Sequence, residues 1–103
     1  MIVTRNRMIK PKKLKEFEYQ LKTLAIDEMT RKQQQTLSGP VSLHLTVTFG
    51  DQRRRDIQNC FGSICDALND VCYHDDSQIV EITGVKRYEK NNWEYIIQVE
   101  TIE

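Results

Sequence analysis

What this chain lacks narrows what it can be. No apolar run approaches the ~20 residues that a membrane-spanning helix needs. No signal-peptide pattern precedes the first charged residues, so the expectation is a soluble, cytoplasmic protein. Net charge is absent as well: 15 Lys/Arg balance 15 Asp/Glu, which by itself argues against a nucleic-acid partner. There is no even set of cysteines for a disulfide framework. Cys60, Cys65 and Cys72 are three in number and fall within one apolar pattern, so they read as reduced thiols filling a core. Cys65, Cys72 and His74 lack a recognised zinc spacing. There is no internal repeat, and the 103 residues read as one domain over 1–103. A core of that size lies near the lower end of independent stability, and pairing with a second copy would bury more apolar surface.

The zero net charge hides a strong asymmetry. Residues 1–55 carry 12 Lys/Arg against 5 Asp/Glu, whereas residues 56–103 carry 3 against 10. A basic surface beside an acidic centre is the pattern expected of a cation-loaded site flanked by groups that hold phosphate. An ordinary solvated basic helix is the plainer explanation.

Periodicity predicts an α+β arrangement. Met1–Lys10 alternates apolar and basic residues without a clear period. Pro11 suits a first helical turn, and Leu14, Phe17, Leu21, Leu24 and Ala25 follow at helical spacing to about Met29 or Lys32. Lys12, Lys13, Lys15, Glu18 and Lys22 occupy its other face. Val41, Leu43, Leu45, Val47 and Phe49 alternate with Ser42, His44, Thr46 and Thr48, a strand with one buried and one polar face. His44 falls on the polar face and reads as solvated or packed on the sheet.

Asp56 reads as the N-cap or first turn of a second helix, where its carboxylate satisfies free N–H groups. Ile57, Cys60, Phe61, Ile64, Leu68 and Val71 form the apolar stripe of that helix, and Gly62 interrupts it. Asn69–Asp70 begins the exit from the helix, and Tyr73–Ser77 is a turn. Gln78–Tyr88 and Trp93–Ile102 read as two strands of a hairpin closed by the Asn-rich loop 89–92. The expected fold is a small mixed sheet with two helices packed on one face.

The stretch from Arg53 to Ile82 carries the chemistry. Arg53, Arg54 and Arg55 run into Asp56, and the pair Asp75–Asp76 follows nineteen and twenty residues later at the mouth of a strand. If helix and strand are neighbours in one layer, Asp56 and Asp75–Asp76 can converge. Convergent carboxylates are the hard oxygen ligands that Mg²⁺ prefers, and arginine suits phosphate. The plainer roles are a helix cap for Asp56, a turn for Asp75–Asp76 and a solvated loop for Arg53–Arg55.

Arg53–Arg54–Arg55–Asp56–Ile57–Gln58–Asn59, then Asp66–Ala67–Leu68, then Asp75–Asp76–Ser77–Gln78 resemble the pattern of the RusA family of Holliday-junction resolvases, small phage and bacterial crossover-junction endodeoxyribonucleases. The core of the likeness covers about a third of the chain, with weaker agreement through the basic helix, the 41–49 strand and the last two strands. It implies a homodimeric, Mg²⁺-dependent enzyme of DNA recombination and repair that binds four-way junctions and nicks two opposing strands. It also implies three catalytic aspartates and one lysine. Asp56 and Asp76 match the first and last aspartates and the metal ligands, with Asp75 beside them. Gln58 stands at the second aspartate and Gly62 at the lysine. The strand that the family carries before its first helix is expected to be shortened or absent here.

Gln58 still offers a carbonyl oxygen but removes a negative charge and cannot act as a general base. Gly62 removes a cation that could stabilise charge in the transition state. Three function classes follow. One is an active junction nuclease in which Gln58, Asp75, Lys86 or Arg87 compensates. Another is a junction-binding module with impaired cleavage, using Arg53, Arg54, Arg55, Lys12, Lys13, Lys15, Lys22 and Lys86 as phosphate contacts. The last is an interaction protein with no nucleic-acid role.

Overall fold

The computed structural model describes the backbone of residues 2–7, 14–52 and 58–102, and within these the side chains of all but 4–7, 14–17 and 58–60. The described elements are β1 (Ile2–Arg7), α1 (Leu14–Arg31), β2 (Val41–Phe49), α2 (Gln58–Ala67), β3 (Ile79–Tyr88) and β4 (Glu94–Thr101). The strands form one four-stranded sheet in the order β1-β4-β2-β3. β2 runs parallel to β3 and antiparallel to β4, and β1 is antiparallel to β4. This is the small α+β mixed sheet expected from the periodicity.

Alternation makes β2 the centre. Val41, Leu43, Leu45 and Val47 are each at most 3% exposed, while Ser42, His44, Thr46 and Thr48 are half-buried on the opposite face. Tyr95, Ile97 and Val99 of β4 and Ile2 of β1 extend the buried face sideways. Leu21, Ala25 and Met29 of α1 and Ile64 and Ala67 of α2 close over it, giving a single core. α1 ends as its sequence directs. Gln33 takes a left-handed φ of 55°, and the N–H groups of Gln33 and Gln34 bond back to the Thr30 and Met29 carbonyls, so the last carbonyls of the helix are not left bare.

Three sequence expectations need correction. Ile2–Arg7 is a strand, not an aperiodic lead-in, and so a strand before the first helix is not absent. Its pairing is supplied by β4, from Ile2 opposite Val99 to Arg7 opposite Glu94, and the burial of Ile2 anchors it. Tertiary pairing here outweighs a weak local pattern.

α2 is shorter than its apolar stripe. It stops at Ala67, and Leu68, Val71 and Cys72 are buried from the turn that follows. There Asp70 adopts a left-handed φ of 61° and the Val71 N–H bonds to the Leu68 carbonyl.

The third correction concerns the hairpin. β3 and β4 are not paired, because β2 lies between them. Residues 89–92 cross the end of β2, with Glu89 N–H donating to the Phe49 carbonyl (3.1 Å) and Asn91 N–H to that of Gly50 (2.9 Å). Two strand spacings amount to about 10 Å, which such a loop spans easily. The arrangement gives central β2 a partner on each edge, and it brings the apolar face of β4 against β2.

The crossing is held by an aromatic lock. Trp93 meets Phe49 edge-on at a centroid distance of 6.2 Å, and its indole lies on Gly50. A Cβ at Gly50 would come within 2.8 Å of Trp93 Cδ1 and Cε2 and collide with Nε1. Gly50→Ala is therefore expected to lower unfolding stability by roughly 1–3 kcal/mol, as overpacking does. Urea denaturation measures this, and relief of the defect by Trp93→Leu would tie it to that contact.

Candidate functional site

The parallel β2–β3 pair requires a crossover, and α2 supplies it. The helix starts after the C-terminal end of β2 and returns the chain to the start of β3. Residues 58, 62 and 65–66 lie along one side of it at helical spacing. Gln58 opens α2, with its side chain outside the described residues. Gly62 is exposed one turn later, and a Cβ there meets nothing within 4 Å. Cys65 and Asp66 follow on the next turn.

The charge of Asp76 is felt at Cys65 in this later turn. Burial raises the Cys65 thiol, the Tyr73 hydroxyl opposes that rise, and the Asp76 and Asp66 carboxylates add to it by repulsion. Tyr73, itself buried, donates its hydroxyl to the Cys65 carbonyl at 2.8 Å and so ties the turn to the helix. Burial also pushes the Tyr73 phenol far up, so it remains a donor. Cys72 fills core space beside Met29 (Sγ to Sδ 3.9 Å), with burial pushing its thiol to about 12. Neither thiol is a ready thiolate ligand.

The two carboxylates of the acidic pair have different employment. Asp75 caps a short 3₁₀ turn over Asp76–Gln78, accepting the Ser77 N–H on Oδ2 at 3.1 Å. Asp76 is exposed, and its carboxylate makes no hydrogen bond or ion pair with a described residue, although its backbone carbonyl accepts the Ile79 N–H. Between them they give one structural carboxylate and one available to solvent or a ligand.

Gln78 holds this arrangement, a role the sequence reading did not assign. Its Oε1 accepts the N–H groups of His74 (2.7 Å) and Asp75 (2.9 Å). Its Nε2 donates to the carbonyls of Leu37 (3.1 Å) and Gly39 (2.9 Å). A primary amide has two donor hydrogens and an oxygen with two lone pairs, so every hydrogen-bonding position of this side chain is used. Further bonds from Leu37 N–H to the Cys72 carbonyl and from the Thr36 hydroxyl to that of Val71 bind the same two segments. The spacing Asp75-x-x-Gln78 is a capping-box signature, and that was the available clue.

The remaining candidates divide clearly. Asp56, Arg53, Arg54, Arg55, Lys12 and Lys13 lie outside the described residues, so the convergence of Asp56 with Asp76 lies outside them too. Lys15 belongs to α1, its side chain likewise outside. Lys86 pairs laterally with Val47 and Arg87 with Thr48, which puts the two on opposite faces near the far end of β3. Seven residues of strand separate Ile79 from Lys86, about 23 Å. Neither Lys86 nor Arg87 supplies a cation beside Asp76.

Among the described residues no group of three or more His, Cys, Asp or Glu is placed to hold a metal ion. Those residues alone do not fit Mg²⁺, which takes near-octahedral oxygen coordination. Asp76 offers one free carboxylate, Asp75 is engaged as a cap, and position 62 has no side chain. No described helix is long and apolar enough to cross a membrane.

Compared with known families, the chain matches the one described as Endodeoxyribonuclease RusA over residues 2–100. No curated protein matches it significantly.

Gln78→Glu tests the turn. It keeps the acceptors but removes both donors and sets a carboxylate against two carbonyls. A loss of roughly 1–3 kcal/mol in unfolding stability is expected, with Gln78→Ala as the neutral comparison. The Asp75 cap gives a pH signature. Hydrogen bonds from the Ser77 hydroxyl and backbone N–H hold its carboxyl below the ordinary 3.8. Its contribution is thus fully present above that value and lost as pH falls through the lower folded value. Amide shifts of Ser77 should report the transition, and Asp75→Asn should abolish it.

Proposed function

The chain belongs to the RusA endodeoxyribonuclease family, and from that premise we propose that it binds four-way junction DNA as a homodimer and cleaves it poorly or not at all. The family's function class is Holliday-junction resolution, and its members are generally Mg²⁺-dependent. A two-fold protein suits a two-fold substrate. Arg53, Arg54, Arg55, Lys12, Lys13, Lys15 and Lys86 are the proposed phosphate contacts, and Asp56 and Asp76 the proposed remains of the metal and catalytic set.

One observation supports the impaired half of this reading above the others. At Gly62, where the resemblance calls for a lysine, there is open space on the helix one turn before Cys65, where the charge of Asp76 is felt. No charge can reach a scissile phosphate from that position. Gln58, four residues earlier, is neutral. Phosphodiester hydrolysis depends on stabilising charge in the transition state, and loss of one placed electrostatic group typically costs about 10²–10³ in rate. Binding, by contrast, depends on phosphate contacts spread over the basic segments, which neither position supplies. The open space also means that Gly62→Lys fits without displacing a neighbour. Exchanging glycine for lysine there favours the helix by up to about 1 kcal/mol.

The test is a cleavage and gel-shift assay on labelled four-way junctions with Mg²⁺ or Mn²⁺, comparing the natural chain with Gln58→Asp/Gly62→Lys. The natural chain is expected to retard junctions over linear duplex, increasingly weakly as salt rises, and to leave them uncut. The double variant is expected to gain cleavage by about 10² or more. Equal cleavage by both would show an active enzyme that needs neither group. A chain with no preference for junctions would remove the DNA assignment.

A further inference from the structure

β3 is an edge strand that has not been blunted. Among the described residues it pairs only with β2, so its other side presents a row of unused backbone N–H and C=O groups. It has ten residues and no proline. Its one irregularity is at its start, where Val80 is the extra residue opposite the Val41/Ser42 step, and pairing from Glu81 to Tyr88 is regular. Val80, Ile82 and Tyr88 are 63%, 42% and 49% exposed, half of the large exposed hydrophobics among the described residues. Glu81 and Arg87 are also exposed and make no ion pair with a described residue.

From this edge we infer that β3 pairs antiparallel with β3 of a second copy about a two-fold axis through Gly84, joining two sheets into one of eight strands. The inference rests on the two-copy element of the function proposed above and on none of the DNA chemistry.

The register follows from the strand itself. Backbone groups point alternately to the two sides of a strand, so the residues that face a partner all share one parity. Two copies of one edge can therefore bond only if the axis passes through a residue. An axis through residue 83 would set Glu81 against Val85 and Arg87 against Ile79, leaving both charges without an opposite. An axis through residue 85 would set Glu81 against Glu89, a like pair made twice by symmetry. An axis through Gly84 sets Glu81 against Arg87, also made twice, and brings exposed Val80 level with exposed Tyr88. Glu81 and Arg87 lie on the same face of β3, since they neighbour Ser42 and Thr48 on the polar face of β2. Directly opposed unlike charges on one face stabilise a strand pair, and like charges destabilise it. Of the three axes, only the one through Gly84 makes this edge complementary to itself.

Charge reversal tests this register. Sedimentation equilibrium would compare the natural chain with Glu81→Arg, Arg87→Glu and the double reversal, with far-UV circular dichroism confirming the fold. Each single variant turns two attractive pairs into two repulsive ones and is expected to weaken dimerisation by about tenfold or more. The double reversal is expected to restore it. A natural dimer that neither single variant weakens, or a double variant no tighter than the singles, overturns pairing through β3 while leaving a dimer by another surface. A natural chain that stays monomeric overturns both this pairing and the two-copy element, and junction binding by gel shift is read separately. Amide exchange gives a second measure in the natural chain. Alternate β3 amides between residues 81 and 87 should gain protection as concentration rises, and unchanged exchange across a monomer–dimer transition would overturn the pairing.

Discussion

The rest of the structure depends on burying one face and both edges of β2. Val41, Leu43, Leu45 and Val47 carry the centre of the core, and strand backbone flanked only by water would leave that face half open. Two partners are needed. One is β3, reached in parallel through α2, and the other is β4, reached by stepping over the end of β2. The Phe49–Gly50–Trp93 contact is the cost of that step in sequence terms, since a side chain at Gly50 would occupy space the indole takes. β1 then covers the other edge of β4.

The same constraint positions the site. A crossover helix returning to the start of β3 must deliver the chain beside its own C-terminal half, and so the Asp76 charge is felt at Cys65. Precision there comes from the Gln78 amide, which replaces water for two N–H groups and two carbonyls. Asp75 serves the turn and Asp76 stays free. None of these supports uses Gln58 or Gly62. The fold and the turn are stabilised by buried apolar residues and a polar network, while position 62 is exposed, so a side chain can be exchanged there with little effect on folding.

Much of the fold was legible in local pattern. The strict alternation over residues 41–49 and the helical spacing from Leu14 to Met29 each match a described element. A turn before β3 was legible too, over Tyr73–Ser77, whereas the Asp75–Gln78 capping box that builds it emerges only from the structure. β1 was not, because Ile2–Arg7 has no period of its own and becomes a strand by pairing with β4. The end of α2 was legible near Asn69–Asp70, while Leu68 and Val71, which continue the apolar spacing, are buried from the turn instead. Burial fixes which residues are apolar, but not the backbone that carries them.

By itself the sequence determined most of the elements, the family pattern and the presence of Asp56, Asp75 and Asp76, with Gln58 and Gly62 between them. These are properties of residue type and spacing, and side-chain chemistry and short-range periodicity suffice to read them. Tertiary structure alone decided that β3 and β4 part around β2, that Asp75 is a cap while Asp76 is free, and that Lys86 and Arg87 lie far along β3 from Asp76. Each of these turns on which distant segments share a hydrogen bond or a core contact. Such long-range pairing is a competition among all available partners, and burial of β2 settled it.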